Sequence, residues 1–339
     1  MMNLLKYGLG IALFVLCGCT EVKEEKEVEK ETPQSIVPSG EEKKVTQELA
    51  LEVPHVVVLG VAQDAGYPQA GCQKECCAST WGHPEKHRKA TCLGLVDPIS
   101  NESWMFEATP DFKMQLRLLQ EHSNASDLAF FKGIFLTHGH MGHYTGLMHL
   151  GREVMGTSGI PVYAMPRMKE YLTNNGPWSQ LVKLNNIALM GLKAETTIEL
   201  NERLKVTPYV VPHRDEFTET VGFLIEGPKR KLLFIPDIDK WDKWGRYILD
   251  MIREYDLLLI DGTFYSNGEI PGRDMSEIPH PFIEESMQQF SELNEADRKK
   301  VYFIHFNHTN PVLQSNSDAA KEVTAKGFNI ATENLQLGL

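Results

Sequence analysis

At 339 residues, with 42% hydrophobic composition and a formal net charge of −12, the chain holds enough apolar material for a proper core, which excludes a disordered protein. The first 50 residues account for −3 of that charge and leave −9 on residues 51–339. That balance argues against nucleic acid as a partner, because phosphate binding needs a basic face.

The first nineteen residues, MMNLLKYGLGIALFVLCGC, carry one lysine and then an apolar run too short to span a bilayer comfortably, ending in Leu16-Cys17-Gly18-Cys19. The ending resembles a bacterial lipobox. The resemblance implies cleavage before Cys19 and acylation of its thiol and new amine, hence a chain lipid-anchored to a membrane of the bacterial cell envelope. An ordinary secretory signal or a signal anchor is the plainer alternative. Residues 20–50 follow, with nine acidic and five basic residues between Glu21 and Glu48, no aromatics and little apolar content. Such a segment cannot offset the entropy of folding and reads as a disordered acidic tether.

Residues 51–339 read as one domain. HVVVLGVA, TCLGLVD, SWMFEA, GIFLT, PVYAM, LKVTPYVV, TVGFLIEG, KLLFIPD, DLLLIDG and KVYFIHF have the branched and aromatic content and the turn-rich borders of strands. Helical patterns are predicted over Asp111–His122, Gly142–Met155, Trp241–Glu254, Pro281–Leu293 and Asp318–Lys326. TVGFLIEGPKRKLLFIPD reads as a hairpin over Gly-Pro-Lys-Arg, which sets antiparallel pairing beside buried strands. Two sheets between helix layers fit this order better than one doubly wound parallel sheet.

The stretch FLTHGHMGHYTGL places His138 and His140 on the turn after the strand GIFLT, where side chains spaced by two point to one centre. His143 opens the next helical run and turns toward a second. Neutral imidazole is a common zinc ligand, and a catalytic zinc takes three protein groups plus water. Further ligands lie at the ends of apolar runs: His213 closes LKVTPYVVPH, Asp237 closes KLLFIPD, and His305 sits in KVYFIHF. Each alone has a plain explanation as a capping aspartate or a satisfied core histidine. His149 and His55 read as helix surface and strand start.

Taken together and in that order, these residues resemble the metallo-β-lactamase superfamily, an αββα sandwich with metals at the edge between its sheets. The likeness implies His138, His140 and His213 on a first metal, Asp237 bridging, and His143 with His305 on a second. GVAQDAGYPQAGCQKECC, FEATPDFKMQL, LLLIDGTF and HFNHTNPVL resemble the B protein of pyrroloquinoline quinone biosynthesis. The histidine run, the cysteine-rich loop and His305-Phe306-Asn307-His308 resemble the cyclic phosphodiesterase of the carbon–phosphorus lyase pathway.

One position departs from the family pattern H-x-H-x-D-H: its fifth place is Gly142. As a vacated ligand position, it leaves His143, His305, Asp237 and solvent to hold a weaker second metal, and Gly142→Asp should tighten it. Two alternatives stand beside this: the second site is empty, or Asp64 in the loop after the first strand reaches in. A glycine kept for positive φ would make aspartate there clash.

Of six cysteines, Cys17 and Cys19 belong to the export segment, while Cys72, Cys76 and Cys77 crowd one short loop. Thiolates so close do not all pair without strain, whereas tetrahedral zinc accepts them. The phosphodiesterase likeness implies His308 as the fourth ligand of a structural zinc. A disulfide from Cys72 to Cys76 or Cys77, or free thiols, are the alternatives, and His83 and His87 are rival fourth ligands. Cys92 in TCLGLVD reads as a buried packing residue.

The resemblance implies a zinc-dependent hydrolase, acting on a phosphodiester or other ester of a small anionic metabolite through a metal-bound hydroxide. It requires one or two catalytic Zn2+ and one structural Zn2+, with Mn2+ or Fe as alternatives at the catalytic site. It further implies Asp237 bridging the metals and His280, in EIPHPF, donating to a leaving oxygen, with an exposed loop histidine as the plainer alternative for His280. An oxidative role with a redox metal and a non-catalytic envelope metal-binding protein remain open. The partners expected are a small-molecule substrate and a membrane through the lipid anchor, and a homodimer is compatible with the fold.

Overall fold

The computed structural model describes residues 52–339, so the export segment, the Cys19 acylation site and the whole acidic tether lie outside the described residues. The chain from residue 52 forms fourteen strands in two seven-stranded sheets. In chain order the strands are β1 His55–Gly60, β2 Cys92–Asp97, β3 Glu102–Phe106, β4 Phe131–Phe135, β5 Ile160–Ala164, β6 Ile187–Gly191 and β7 Ile198–Glu199. They continue as β8 Lys205–Val210, β9 Val221–Glu226, β10 Lys231–Ile235, β11 Leu257–Asp261, β12 Val301–Ile304, β13 Asn329–Ile330 and β14 Gln336–Gly338.

The first sheet runs β14-β1-β2-β3-β4-β5-β6 and the second β13-β12-β11-β10-β9-β8-β7. Each is antiparallel on one side and parallel on the other. The switch comes at β3 and β4 in the first sheet and at β10 and β11 in the second. The β9–β10 hairpin closes over residues 227–230, with Gly227 N–H donating to the Arg230 carbonyl at 3.0 Å.

Side-chain alternation explains why the first sheet is covered on both faces. On β1, Val56 and Val58 enter the core between the sheets, while Val57 and Leu59 join the layer under the helix Phe112–His122. On β3, Trp104 and Phe106 point inward and Met105 outward. Phe106 stacks on Phe135 at 4.9 Å between ring centroids and meets Phe223 of the opposite sheet edge-on at 5.4 Å. Gly94 lies under the helix: a Cβ there would come within 2.5 Å of Leu119 Cδ1.

Several predicted helices are shorter than their periodicity suggests. Gly142–Met155 breaks into an α-helical turn, Met141–Tyr144, and a 3-10 segment, Thr145–Leu150. Gly146 packs there so tightly that a Cβ would meet the Thr109 carbonyl at 2.2 Å, so this turn follows its contacts rather than helical propensity. Trp241–Glu254 reduces to Ile248–Glu254 behind a 3-10 turn at Trp241–Lys243, with Gly245 between them. Pro281–Leu293 reduces to Ile283–Gln289 followed by a 3-10 turn, Phe290–Glu292. Asp111–His122 and Asp318–Lys326 differ from the observed helices, Phe112–His122 and Asp318–Ala325, only at their ends. The helices Pro166–Asn174 and Trp178–Lys183 and the edge strands β6 and β7 had no counterpart in the sequence reading. Among the described residues no helix is long and apolar enough to cross a membrane.

The consequence for function is positional. Glu107 follows β3, His138 and His140 follow β4, and His213 follows β8, while Asp237 and His305 follow β10 and β12. All lie just past the carboxyl ends of strands, and the two sheets bring them to one edge.

Candidate metal centre

Two donor sets meet at that edge. In the first, His138, His140, His213 and Asp237 each offer an atom within 4.8 Å of the others. His138 Nε2 faces His140 Nδ1 at 2.8 Å and Asp237 Oδ2 at 3.4 Å, and His213 Nε2 faces Asp237 Oδ1 at 3.3 Å. In the second set, Asp64, His143 and His305 converge, with His143 Nε2 3.6 Å from Asp64 Oδ1 and 3.6 Å from Asp237 Oδ2. His305 Nε2 lies 3.9 Å from the same Asp64 oxygen. Asp237 therefore touches both sets.

The donors fit a divalent cation. His143 Nε2, His213 Nε2, His305 Nε2 and Asp237 Oδ1 are buried without a hydrogen-bond partner among the described residues. Each such orphan costs about 1–3 kcal/mol, and a cation among them removes the cost. Ligand atoms about 2.0–2.2 Å from a tetrahedral ion sit roughly 3.3–3.6 Å from one another, close to the spacings found here.

Polar partners behind each ring aim the five histidines. Thr137 Oγ1 hydrogen-bonds His138 Nδ1 at 2.9 Å, and Thr263 Oγ1 hydrogen-bonds His305 Nδ1 at 3.0 Å. Glu216 accepts from His140 Nε2 at 3.1 Å. Asp239 stands 3.4 Å from His213 Nδ1, and Glu107 stands 3.6 Å from His143 Nδ1. A carboxylate behind an imidazole fixes the tautomer and raises ligand basicity. Glu107 is wholly buried and has a φ of 85°, a conformation that packing must hold in place.

Protonation follows these surroundings. Burial pushes His213 down to about 2 and His305 to about 3, so both are neutral and ready to ligate at physiological pH. For His143, burial also opposes the charge, but Glu107 and Asp64 outweigh it and carry the ring up to about 10. A cation entering the second set must displace that proton, so its affinity weakens as pH falls. Burial pushes the Asp237 carboxyl up to about 7, and a cation there pulls it back.

His280 forms a further group with Asp237 and Asp261. Its Nδ1 donates to Asp261 Oδ2 at 2.8 Å and lies 3.2 Å from Asp237 Oδ1. Asp261 accepts from Thr263 N–H at 2.8 Å, from the Thr263 hydroxyl at 2.7 Å and from Ile238 N–H at 3.1 Å. Burial opposes charge on His280, but Asp261 and Asp237 prevail and raise it to about 9.

The cysteine loop forms a separate cluster in which Cys72, Cys76, Cys77 and His308 offer atoms within 4.8 Å of one another. The thiols are free, and Cys72 Sγ lies 3.8 Å from Cys76 Sγ. Two thiolates on one tetrahedral zinc sit about 3.8 Å apart, so the spacing suits a shared ion. His83 is exposed and pairs with Glu85, while His87 Nε2 hydrogen-bonds the Thr80 carbonyl, so neither joins the cluster. Cys92 is fully buried in β2. His149, predicted on a helix surface, instead lies half-buried on the 3-10 segment and stacks against Phe112 at 5.7 Å.

Gly142 requires a correction. A Cβ at that position would lie 2.4 Å from the Asp64 Cα and 2.9 Å from the Asp64 carbonyl oxygen. Aspartate there collides with the backbone of the loop after β1, so Gly142→Asp does not simply restore a ligand. Nor is Gly142 among the glycines with positive φ. In the sequence Asp64 is legible only as an alternative ligand, and the five partners behind the rings and Asp261 are not legible there at all. The one trace of Asp64 in the sequence is the aspartate missing from the family pattern at position 142.

A family model described as a beta-lactamase superfamily domain matches residues 103–306, more than half of the chain. The chain belongs to the β-lactamase superfamily. Its two mixed sheets flanked by helices are the metallo-β-lactamase fold. Coenzyme PQQ synthesis protein B of Methylorubrum extorquens (strain PA1) is 26% identical over 313 residues, covering 84% of this chain and 100% of that protein. The same protein from Acinetobacter baumannii (strain ACICU) is 26% identical over 314 residues, again covering 84% and 100%. Among solved structures, Zn(2+)-bound PqqB from Methylobacterium extorquens superposes with a TM-score of 0.70 at 24% identity, covering 84% of this chain and 100% of that one. A diphosphatase from the PhnP family gives a TM-score of 0.58 at 20% identity, covering 84% and 97%. Within the superfamily, then, the chain is similar both to PQQ synthesis proteins and, in fold, to PhnP-type hydrolases.

Proposed function

We propose that the chain is a zinc-dependent hydrolase that cleaves a phosphodiester or another ester of a small anionic metabolite. The observation that carries this reading is Asp237 standing between two histidine-rich donor sets with His280 beside it. Divalent ions held there supply Lewis acidity and lower the pKa of a bound water to about 7. The protein's own groups do the rest. His280, kept protonated by Asp261 and Asp237, gives its proton to the leaving oxygen. Arg214 is exposed and close enough to act on the charges of His140, His213 and His280, so it meets the negative charge of an incoming substrate. The rings, each backed by its own polar partner, stay aimed while the substrate turns over. Cys72, Cys76, Cys77 and His308 hold a structural zinc, and the N-terminal sequence supports a lipid anchor at Cys19 in the bacterial envelope.

A second reading rests on the relatives: a PQQ synthesis protein B-like oxidative enzyme, which needs a redox metal such as iron or copper. One experiment separates them. The natively purified chain, stripped and reloaded with Zn2+, Mn2+ or Fe2+, is assayed on bis(4-nitrophenyl) phosphate with oxygen uptake followed in parallel. Metal-dependent release of nitrophenol that a chelator abolishes, without oxygen uptake, is the expected result. Oxygen uptake with iron and no phosphodiester cleavage favours the oxidative reading, and the absence of both activities favours a metal-binding protein.

A further inference from the structure

We propose that Asp64 is the carboxylate ligand of the second metal, and that position 142 is glycine because the loop carrying Asp64 occupies the space a side chain would take. This rests on the two-centre reading above. The family's anionic ligand has moved from the turn after β4 to the loop after β1.

Three observations support the exchange. Asp64 Oδ1 lies 3.6 Å from His143 Nε2 and 3.9 Å from His305 Nε2, and the three donor atoms close on one point. An ideal Cβ on residue 142 would lie 2.4 Å from the Asp64 Cα, 2.7 Å from its Oδ1 and 2.9 Å from its carbonyl oxygen. Two of those three atoms are backbone and do not swing away. Gly142 sits in the helical turn Met141–Tyr144 without a positive φ, so its backbone conformation does not demand glycine. The space does.

The loop is built to present Asp64. It has a φ of 45°, a left-handed conformation that aspartate tolerates better than most residues. On its N-terminal side, Gln63 N–H donates to the Phe306 carbonyl at 2.8 Å and Phe306 N–H donates to the Val61 carbonyl at 2.8 Å. Phe306 follows His305 directly, so the two ligands share one backbone ladder. On the C-terminal side, the Tyr67 hydroxyl donates to the Cys76 carbonyl at 2.6 Å and accepts from Gln314 Nε2 at 2.8 Å. Asp64 is thus suspended between β12 and the cysteine cluster, and the second centre depends on both.

The test compares Asp64→Asn, Gly142→Ala and the double variant with the wild type, by Zn2+ titration of stripped protein with metal counted per chain and the fold followed by circular dichroism. Asp64 is half exposed in a loop, so the asparagine variant folds. Partners that only orient a metal ligand are worth about 10–100-fold in affinity, so loss of a ligand itself weakens the second site by at least about 100-fold. Gly142→Ala adds a methyl and no donor. It is expected to displace the loop and weaken the same site, with the double variant no worse than the poorer single one, since both changes break one interaction. Two catalytic zincs bound with wild-type affinity in Asp64→Asn, or in Gly142→Ala, overturn the proposal. A wild type that takes fewer than two zincs at the histidine edge would instead overturn the two-centre reading.

Discussion

Replacing His213 by alanine is expected to empty the first metal set and to lower phosphodiester hydrolysis by on the order of 10³-fold or more, which corresponds to about 4 kcal/mol of transition-state stabilisation. His213 is buried, its Nε2 faces Asp237 Oδ1 at 3.3 Å, and its Nδ1 lies 3.4 Å from Asp239. Without it the set loses one of three imidazoles and Asp237 loses a neighbour that fixes its position. The stability consequence has a distinctive sign. Both nitrogens of His213 are buried and make no hydrogen bond, Asp239 standing near Nδ1 without closing one, so in metal-free protein the ring is a cost rather than a support. Metal-free His213→Ala should therefore melt close to metal-free wild type. Added zinc should raise the wild-type Tm, because a ligand at a thousand times its Kd contributes about 4 kcal/mol, and should raise the variant far less. Metal content by elemental analysis and paired melting curves measure both effects. Full metal content in the variant would remove His213 from the site.

Cys76→Ser is expected to lower the Tm by on the order of 10 °C, if the cluster contributes about 3–5 kcal/mol in a domain of this size. The loop from Cys72 to Thr80 is poor in apolar side chains, and Cys77, Tyr67 and Ala62 form only a small core cluster beneath it. A metal among three sulfurs and His308 supplies what packing does not. Burial pushes Cys77 up to about 12 and raises Cys76 as well, so the metal-free cluster holds protons that an ion must displace. Because the thiols are free, reductant should leave the wild type unchanged while a strong chelator reproduces the loss. The first catalytic metal should stay and the second should weaken, since Tyr67 and Cys76 steady the loop that bears Asp64. An unshifted Tm, or a loss produced by reductant alone, would rule out a structural ion.

The parts of the molecule legible in the sequence are those with local signals. Val56 to Leu59 and Leu232 to Ile235 read as strands because their runs are branched or aromatic and bounded by turns, and both are buried. His138, His140 and His143 stand out because three imidazoles in six residues rarely serve packing. Structure that depends on distant contact was not legible. Gly142 and Gly146 look like weak helix residues in sequence, yet each is needed where another segment crosses at less than 3 Å from its missing Cβ. Glu107 lies at the end of an apolar strand, and nothing nearby in sequence indicates that the Nδ1 of His143, 36 positions on, will come within 3.6 Å of its carboxylate. Asp239 likewise reaches His213 only because the loops after β10 and β8 meet, with Asp239 N–H donating to the Pro212 carbonyl at 2.7 Å, and Glu216 reaches His140 only because the loop after β8 meets the turn after β4. Short edge strands such as β7, two residues long, form because neighbours offer hydrogen bonds, and composition carries little trace of them.

A pair of metal ions at the edge between the sheets would show in anomalous diffraction at the zinc edge from crystals of zinc-loaded wild-type protein. Two peaks are expected there, one among His138, His140, His213 and Asp237 and one among His143, His305, Asp237 and Asp64, with a third at Cys72, Cys76, Cys77 and His308. An empty histidine edge in fully loaded protein, with anomalous signal confined to the cysteine cluster, would contradict it.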